Sequence, residues 1–222
     1  MKMRCLCLLF ALIMLGSCLN TESNGQLDEK RAVNNATNLY LTAVASLYGN
    51  IGGVQDGEGL QGTYRGVYDY NTFTTDEAMI PIRGGNWYDG GFWQNLYLHK
   101  WTAADPELYG MWNYLFRSVM LCNHSLEMLE RNKHLLTNQQ MRAYTSEVRA
   151  IRALFYYQLM DLFGCIPIVT DTKTKLGQMV QRSRSEVFRF IVGELQVALP
   201  YLSSSRSNLL GNYYGRITKP VV

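Results

Sequence analysis

The clearest chemical potential in this sequence lies in a stretch rich in aromatic and hydrogen-bonding side chains. Residues 87–112 contain all 4 tryptophans of the chain: Trp87, Trp93, Trp101 and Trp112. Sugars present flat apolar C–H faces and a rim of hydroxyl groups, so a sugar site needs aromatic rings beside carboxylate, amide and guanidinium groups. The stretch 76–95 offers that mixture, which predicts a carbohydrate-binding site.

Four residues of this stretch are the best candidates for ligand contact: Asp76, Arg83, Trp87 and Trp93. The glycine pairs at 84–85 and 90–91 would let the backbone turn sharply and approach a ligand. The alternative is that the rings pack the loop onto the helices. We expect such core packing for Trp101 and for Trp112, which lies on a helical stripe.

Other chemistries have less support. Glycoside hydrolysis requires two carboxylates at a defined separation, and no spacing in the sequence singles out such a pair. The sequence contains no nucleophile elbow, phosphate-binding loop or dinucleotide fingerprint. Its 3 histidines lack ligand spacing, so we expect neither a metal nor a cofactor. A net charge of +3 over 222 residues gives no support for nucleic-acid binding. We therefore expect a binding protein rather than an enzyme.

Helices are expected to position this stretch. Apolar periodicity predicts them over residues 38–48, 105–132, 137–163 and from about 183 to 199. Capping boxes at Thr137 and Ser183 mark two of the starts. Long helices joined by about four residues must be antiparallel neighbours. The predicted fold class is therefore mainly α, built from αα-hairpins, with 54–102 forming long aromatic and Gly-rich loops.

Two arginines lie among apolar residues of the helix over 137–163. Arg149 and Arg152 could contact a ligand, but we expect them to face solvent or to pair with Glu147 or Asp161. Such pairs are common between packed helices and carry no functional information by themselves.

The N-terminus has the order of residues found in a secretory signal. Basic residues precede an apolar run, Gly16 and Ser17 close it, and Cys18 follows. This order resembles the bacterial lipobox, whose cysteine is lipidated and becomes the mature N-terminus. We predict a signal peptide over 1–17 and a lipid anchor, palmitate included, on Cys18. The alternative is a plain signal peptide with an incidental cysteine.

The residues after this cysteine bear on localisation. Leu19 stands where the inner-membrane retention signal has an aspartate, so the outer membrane is favoured, with the leaflet left open. Residues 18–37 are polar and lack periodicity, and we predict that they form a lipidated tether. The helical domain is then expected over 38–222.

Several segments of the chain resemble the SusD/RagB family of surface nutrient-binding lipoproteins of Bacteroidetes. The most specific is the helix from Glu147 to Gly164 with the Cys165–Val169 segment after it. Four further segments resemble other motifs of the family and follow the same order along the chain: Thr75–Ala78, Trp112–Asn123, Arg182–Val187 and Gly215–Thr218.

The resemblance implies tetratricopeptide-like helix pairs and a function at the cell surface. Members capture oligosaccharide and pass it to a SusC-like TonB-dependent transporter, without catalysis. Family members are much longer than this chain, so 38–222 resembles a truncated N-terminal helical domain. Two alternatives remain: a helical-repeat protein-interaction module without a small ligand, and a non-functional gene fragment.

Overall fold

The computed structural model describes residues 33–53, 59–60 and 66–222. The predicted signal peptide, Cys18 and the tether up to residue 32 lie outside these ranges. Among the helices that the structure describes, none combines the length and the hydropathy needed to cross a membrane.

The described residues are mainly helical, as the sequence predicts. The helices are α1 (Ala36–Tyr40), a π-helical segment (Leu41–Ala45), α2 (Ser46–Ile51), α3 (Val67–Phe73), α4 (Phe92–Tyr97), α5 (Pro106–Arg131), α6 (Asn138–Phe163) and α7 (Arg184–Ala198). Single 3-10 turns occupy Asp89–Gly91, Lys133–Leu135, Leu176–Gln178 and Leu199–Tyr201. One antiparallel ladder pairs β1 (Ile166–Pro167) with β2 (Gln181–Arg182).

The three long helices begin where the sequence predicts. At α6 the Thr137 hydroxyl accepts from the Gln140 amide, and the Gln140 side chain accepts from the Thr137 amide. Ser183 and Glu186 form the same capping box at α7. These boxes satisfy amide groups that a helix N-terminus otherwise leaves without partners. Helix α6 ends at Gly164, whose φ of 72° suits glycine.

Helices α5, α6 and α7 pack side by side in chain order, with α6 against both neighbours. Their facing stripes supply most of the core, including Leu115 and Val119 of α5, Ile151 and Phe155 of α6, and Val187 of α7. This arrangement confirms the predicted αα-hairpins.

The first predicted helix starts earlier than expected. Asn35 accepts from the Asn38 amide as N-cap, so α1 begins at Ala36 rather than at residue 38. Val33 is buried in the core. The folded region therefore includes the last residues of the predicted tether 18–37. The helix continues through the π-helical segment, and its predicted apolar face, Leu39 to Leu47, is buried.

A buried ion network joins the three long helices. Glu194 of α7 accepts from Arg149 at 3.1 and 2.7 Å and from Arg152 at 2.9 and 2.5 Å. Arg152 also donates to Asn123 of α5 at 2.7 Å. Pairing, one of the two expectations for these arginines, is confirmed, but the expected acidic partners, Glu147 and Asp161, are wrong. Both arginines point toward α7, whose position the sequence of α6 alone does not reveal.

Candidate functional site

The aromatic loop folds into a chain of short helices and glycine turns beside the long helices. Gly84, Gly90 and Gly91 adopt positive φ angles of 61°, 67° and 87°, which confirms sharp turns at the two glycine pairs. Gln94 of α4 donates to the Ile80 carbonyl at 3.0 Å and thereby ties the two parts of the loop together.

Arg83 and Trp87 come together in one cleft of about 430 Å³. The remaining lining residues are Met79, Ile80, Pro81 and Asn86. A short turn shapes the cleft, since the Asn86 amide donates to the Arg83 carbonyl at 3.1 Å. Trp87 is 52% exposed, so its indole ring is available to a ligand, beside a guanidinium group and an amide that can bond to hydroxyls.

Trp93 supports this cleft from the inside. It is only 1% exposed, so the prediction that its ring is a ligand platform is wrong. The indole N–H donates to Asp89 at 2.8 Å, and the ring packs against Phe73 and Phe92 at centroid distances of 5.2 and 4.9 Å. Its centroid lies 6.1 Å from that of Trp87. Trp93 is therefore the buried ring on which the exposed Trp87 rests.

The fourth candidate, Asp76, lies apart from the cleft. It is exposed in the bend that follows α3 and is not among the residues that line the cleft around Trp87. The structure therefore brings together two of the four predicted residues, Arg83 and Trp87. It assigns Trp93 to their support and leaves Asp76 at a neighbouring surface.

A second aromatic groove, of about 670 Å³, lies between this loop and the long helices. Trp101 is 41% exposed there, so the expectation that it packs in the core is wrong. Trp112 also lines the groove but is partly buried, against Phe116 and Phe163 at 4.6 and 5.0 Å. Tyr70, Asn71, Thr74, Tyr109 and Asp161 are among the other lining residues.

The sequence alone gave little reason to single out Trp101. It follows the end of α4, where no helical period indicates which side chains turn inward. One signal could have indicated that Trp101 is exposed: it lies outside every predicted apolar stripe.

Backbone conformation sets this region apart. Among the described residues, those other than glycine with positive φ are Trp87 at 60°, Asp89 at 42° and His99 at 55°. Such a conformation costs about 1–3 kcal/mol per residue and is typical of sites whose geometry is fixed by surrounding contacts. All three lie within the loop that carries the exposed rings.

The family follows from comparison with known proteins. A SusD-like family model, described as "Starch-binding associating with outer membrane", matches residues 55–219. The chain belongs to the SusD-like family. The matched range includes the Trp87 cleft, the Trp101 groove and the three long helices, and the helix pairs are the tetratricopeptide-like pairs of this family.

Individual relatives of this SusD-like chain are longer. The starch-binding protein SusD of Bacteroides thetaiotaomicron is 25% identical over 138 residues, which cover 62% of this chain and 23% of the relative. A SusD-like protein of Bacteroides fragilis has a similar fold, with a TM-score of 0.67 at 19% identity, over 88% of this chain and 34% of its own. A laminarin-binding SusD-like protein also has a similar fold, with a TM-score of 0.64 at 20% identity, over 83% of this chain and 37% of its own. The matched part of the chain thus spans 23% to 37% of the length of these relatives.

A larger cavity of the SusD-like chain, of about 830 Å³, lies elsewhere, between the start of α6, the end of α7 and the turn at 213–217. Two of its charged side chains, Arg216 and Glu147, are paired with each other. Arg216 donates to Glu147 at 2.9 and 2.6 Å and lies over the rings of Tyr40 and Tyr213 at 4.9 and 4.7 Å. Tyr48 donates to the same carboxylate at 2.5 Å.

This cluster raises the pKa of its own tyrosines. Burial, and then the charge of Glu147, raise the pKa of Tyr40 to about 12, and the same two causes raise the pKa of Tyr48 further. Both hydroxyls therefore stay protonated at neutral pH. Because Tyr48 also accepts from the Ile217 amide at 2.9 Å, the cluster fastens the C-terminal turn to α2 and α6. We assign it a structural role and place the candidate site in the aromatic loop.

Metal chemistry has no support in this geometry. Within the described ranges, no three His, Cys, Asp or Glu side chains come together in a group that could hold a metal ion.

Proposed function

We propose that this chain is the oligosaccharide-binding part of a surface lipoprotein that delivers glycan to a SusC-like TonB-dependent outer-membrane transporter. The observation that carries the proposal is the half-exposed Trp87 ring, supported from below by the buried Trp93, in one cleft with Arg83. Family membership supports the same function. No catalytic step is proposed.

The cleft has the chemistry that sugar recognition requires. The face of Trp87 stacks on the apolar C–H face of a pyranose ring, and the Arg83 guanidinium and Asn86 amide donate to its hydroxyls. Stacking of this kind is stronger when the ring is held in place before the ligand arrives, because immobilising a free side chain costs affinity. Trp87 meets that requirement through its positive φ and its contact with Trp93.

The Trp101 groove offers a second exposed ring on the same loop. A second exposed ring at a separate cleft lets an oligosaccharide contact the protein through more than one sugar unit. Asn71 and Asp161, which line the groove, supply further hydrogen-bonding groups for hydroxyls. We therefore propose a ligand of several sugars rather than a monosaccharide.

The choice of probe follows the relatives, one described as starch-binding and another as laminarin-binding. Isothermal titration of the chain with maltoheptaose and laminarihexaose tests the proposal. Trp87→Ala should weaken binding about threefold to tenfold, the range expected for loss of one aromatic contact.

Phe188→Ala is the matched control, because Phe188 lies on α7 and is exposed to a similar extent, 55%. It should bind like the unaltered chain. Equal affinity of the Trp87 variant and the unaltered chain would contradict the proposed site. Absence of binding to a broad glycan panel would favour the protein-interaction alternative.

The anchor and the transporter are separate proposals with separate tests. The lipobox-like sequence around Cys18 supports lipid attachment, which the mass of the N-terminal peptide from native membranes would test. Family membership supports the transporter partner. Purification of the tagged chain from native outer membranes should recover a TonB-dependent transporter, whereas a Cys18→Ser chain should lose the membrane fraction.

A further inference from the structure

We propose that His99 is the positioning residue of the second sugar-binding groove, in that it fixes the exposed Trp101 ring against the end of α3. The inference rests on the proposed function for its ligand but stands on its own contacts. The His99 Nε2 lies 2.8 Å from the Thr74 carbonyl oxygen. Its ring centroid lies 5.1 Å from that of Trp101.

These contacts join two separate parts of the loop. Thr74 is the C-cap of α3 and lines the Trp101 groove itself. His99 follows the end of α4, where its amide donates to the Leu96 carbonyl at 3.1 Å. One imidazole, 25 residues along the chain from Thr74, therefore links the end of α3 to Trp101.

The backbone at His99 fits a positioning role. Its φ of 55° lies in the left-handed region, which residues with a Cβ seldom adopt unless other contacts impose it. The conformation turns the side chain back toward α3. Trp101 is 41% exposed and packs against the His99 ring, which therefore constrains its orientation.

The geometry also explains why histidine suits the position. The Thr74 oxygen is an acceptor, so Nε2 carries the hydrogen in this bond, as it does in one neutral tautomer and in the charged form. The position also requires a flat ring against which Trp101 can pack, and imidazole supplies it. Asparagine tolerates the backbone but lacks the ring and the reach. Glutamine can place a donor near Thr74 but has no ring.

The positioning is tested without any ligand by ¹⁹F NMR of the chain labelled with 5-fluorotryptophan. Trp101→Phe assigns the Trp101 resonance. His99→Asn should shift and broaden that resonance and leave the Trp112 resonance in place, which also shows that the variant is folded. His99→Gln, the second variant, should shift it as well because the ring is lost. His134→Asn removes an exposed histidine on the turn after α5 and should leave all resonances unchanged. An unchanged Trp101 resonance in both His99 variants would overturn the inference.

Binding gives the second readout, as a double-mutant cycle with maltoheptaose and laminarihexaose. His99→Asn should weaken binding about threefold to tenfold, up to the loss in Trp101→Ala. In the Trp101→Ala background, His99→Asn should cause no further loss, because it acts only through that ring. Independent, additive losses would overturn the positioning role. Should neither sugar bind any version, the proposed function fails for these glycans, and the ¹⁹F result alone decides the role of His99.

Discussion

The buried ion network on α7 allows a sharp test of what holds the three long helices together. Glu194 is only 4% exposed and accepts four hydrogen bonds from two guanidinium groups. Glu194→Leu would keep the volume but leave Arg152, itself buried, with Asn123 and the Thr170 carbonyl as its remaining partners. Arginine does not lose its proton in proteins, so the charge stays buried.

The expected magnitude follows from burial. Breaking a buried pair by removing one partner costs about 3–5 kcal/mol, a large part of the about 5–15 kcal/mol that stabilises a typical domain. Arg149 is 32% exposed on its side chain, so Arg149→Met should cost about 1 kcal/mol or less. The two changes therefore differ severalfold, although both remove contacts to the same carboxylate.

Urea unfolding followed by circular dichroism measures the loss of stability in both variants, Glu194→Leu and Arg149→Met. With a slope of about 1–3 kcal/mol per molar urea, Glu194→Leu should lower the midpoint by more than about 1 M. Arg152→Met combined with Glu194→Leu should be more stable than Glu194→Leu alone, because no uncompensated buried charge remains on Arg152. A loss under about 1 kcal/mol in Glu194→Leu, or a double variant that loses the sum of both single changes, would refute the reasoning.

Two further predictions concern buried hydroxyl and thiol groups. Burial raises the pKa of Tyr156 to about 12. The folded chain therefore holds this proton more tightly than the unfolded chain, in which tyrosine has a pKa of about 10. The free energy of unfolding should consequently fall as the pH rises from about 10 to 12. Tyr156→Phe should flatten that fall in urea titrations at stepped pH and cost about 1–3 kcal/mol at neutral pH, since both backbone groups of Val169 lose a partner. Cys165 is exposed, whereas Cys122 is buried with its pKa raised to about 12, so iodoacetamide should modify Cys165 alone of the two in the folded chain. Equal labelling of both, read by peptide mass, would contradict this burial.

Helix boundaries could be predicted because their signals are local. The capping boxes at Thr137 and Ser183 satisfy orphan amides within four residues, so the sequence contains all the atoms involved. The apolar stripes likewise need only a period of 3.6 residues. The start of α1 was missed by two residues because its N-cap, Asn35, lies in a polar stretch with several competing Asn and Thr residues.

Partners between helices could not be predicted in the same way. Glu147 and Asp161 are the acidic residues of their own helix, yet Arg149 and Arg152 both bond to Glu194, more than 40 residues away. Which acid faces them depends on how α7 packs on α6, and that register comes from the whole interface rather than from local spacing. From the sequence we expected the arginines to face solvent or to pair with Glu147 or Asp161, and it did not reveal Glu194 as their partner.

In the candidate site, amino-acid composition could not distinguish an exposed tryptophan from a buried one. Trp87 and Trp93 lie six residues apart in the same loop, and the sequence predicted the same role for both. The structure separates them because Trp93 falls on α4, one turn after Asp89, which accepts its indole N–H and turns the ring toward Phe73 and Phe92. A buried partner favours sugar binding at an exposed ring, since a lone indole on a glycine-rich loop would have to be immobilised by the ligand itself, which costs affinity. In the proposed site, the density of tryptophan therefore reflects two layers, an exposed ring offered to the ligand and a buried ring beneath it.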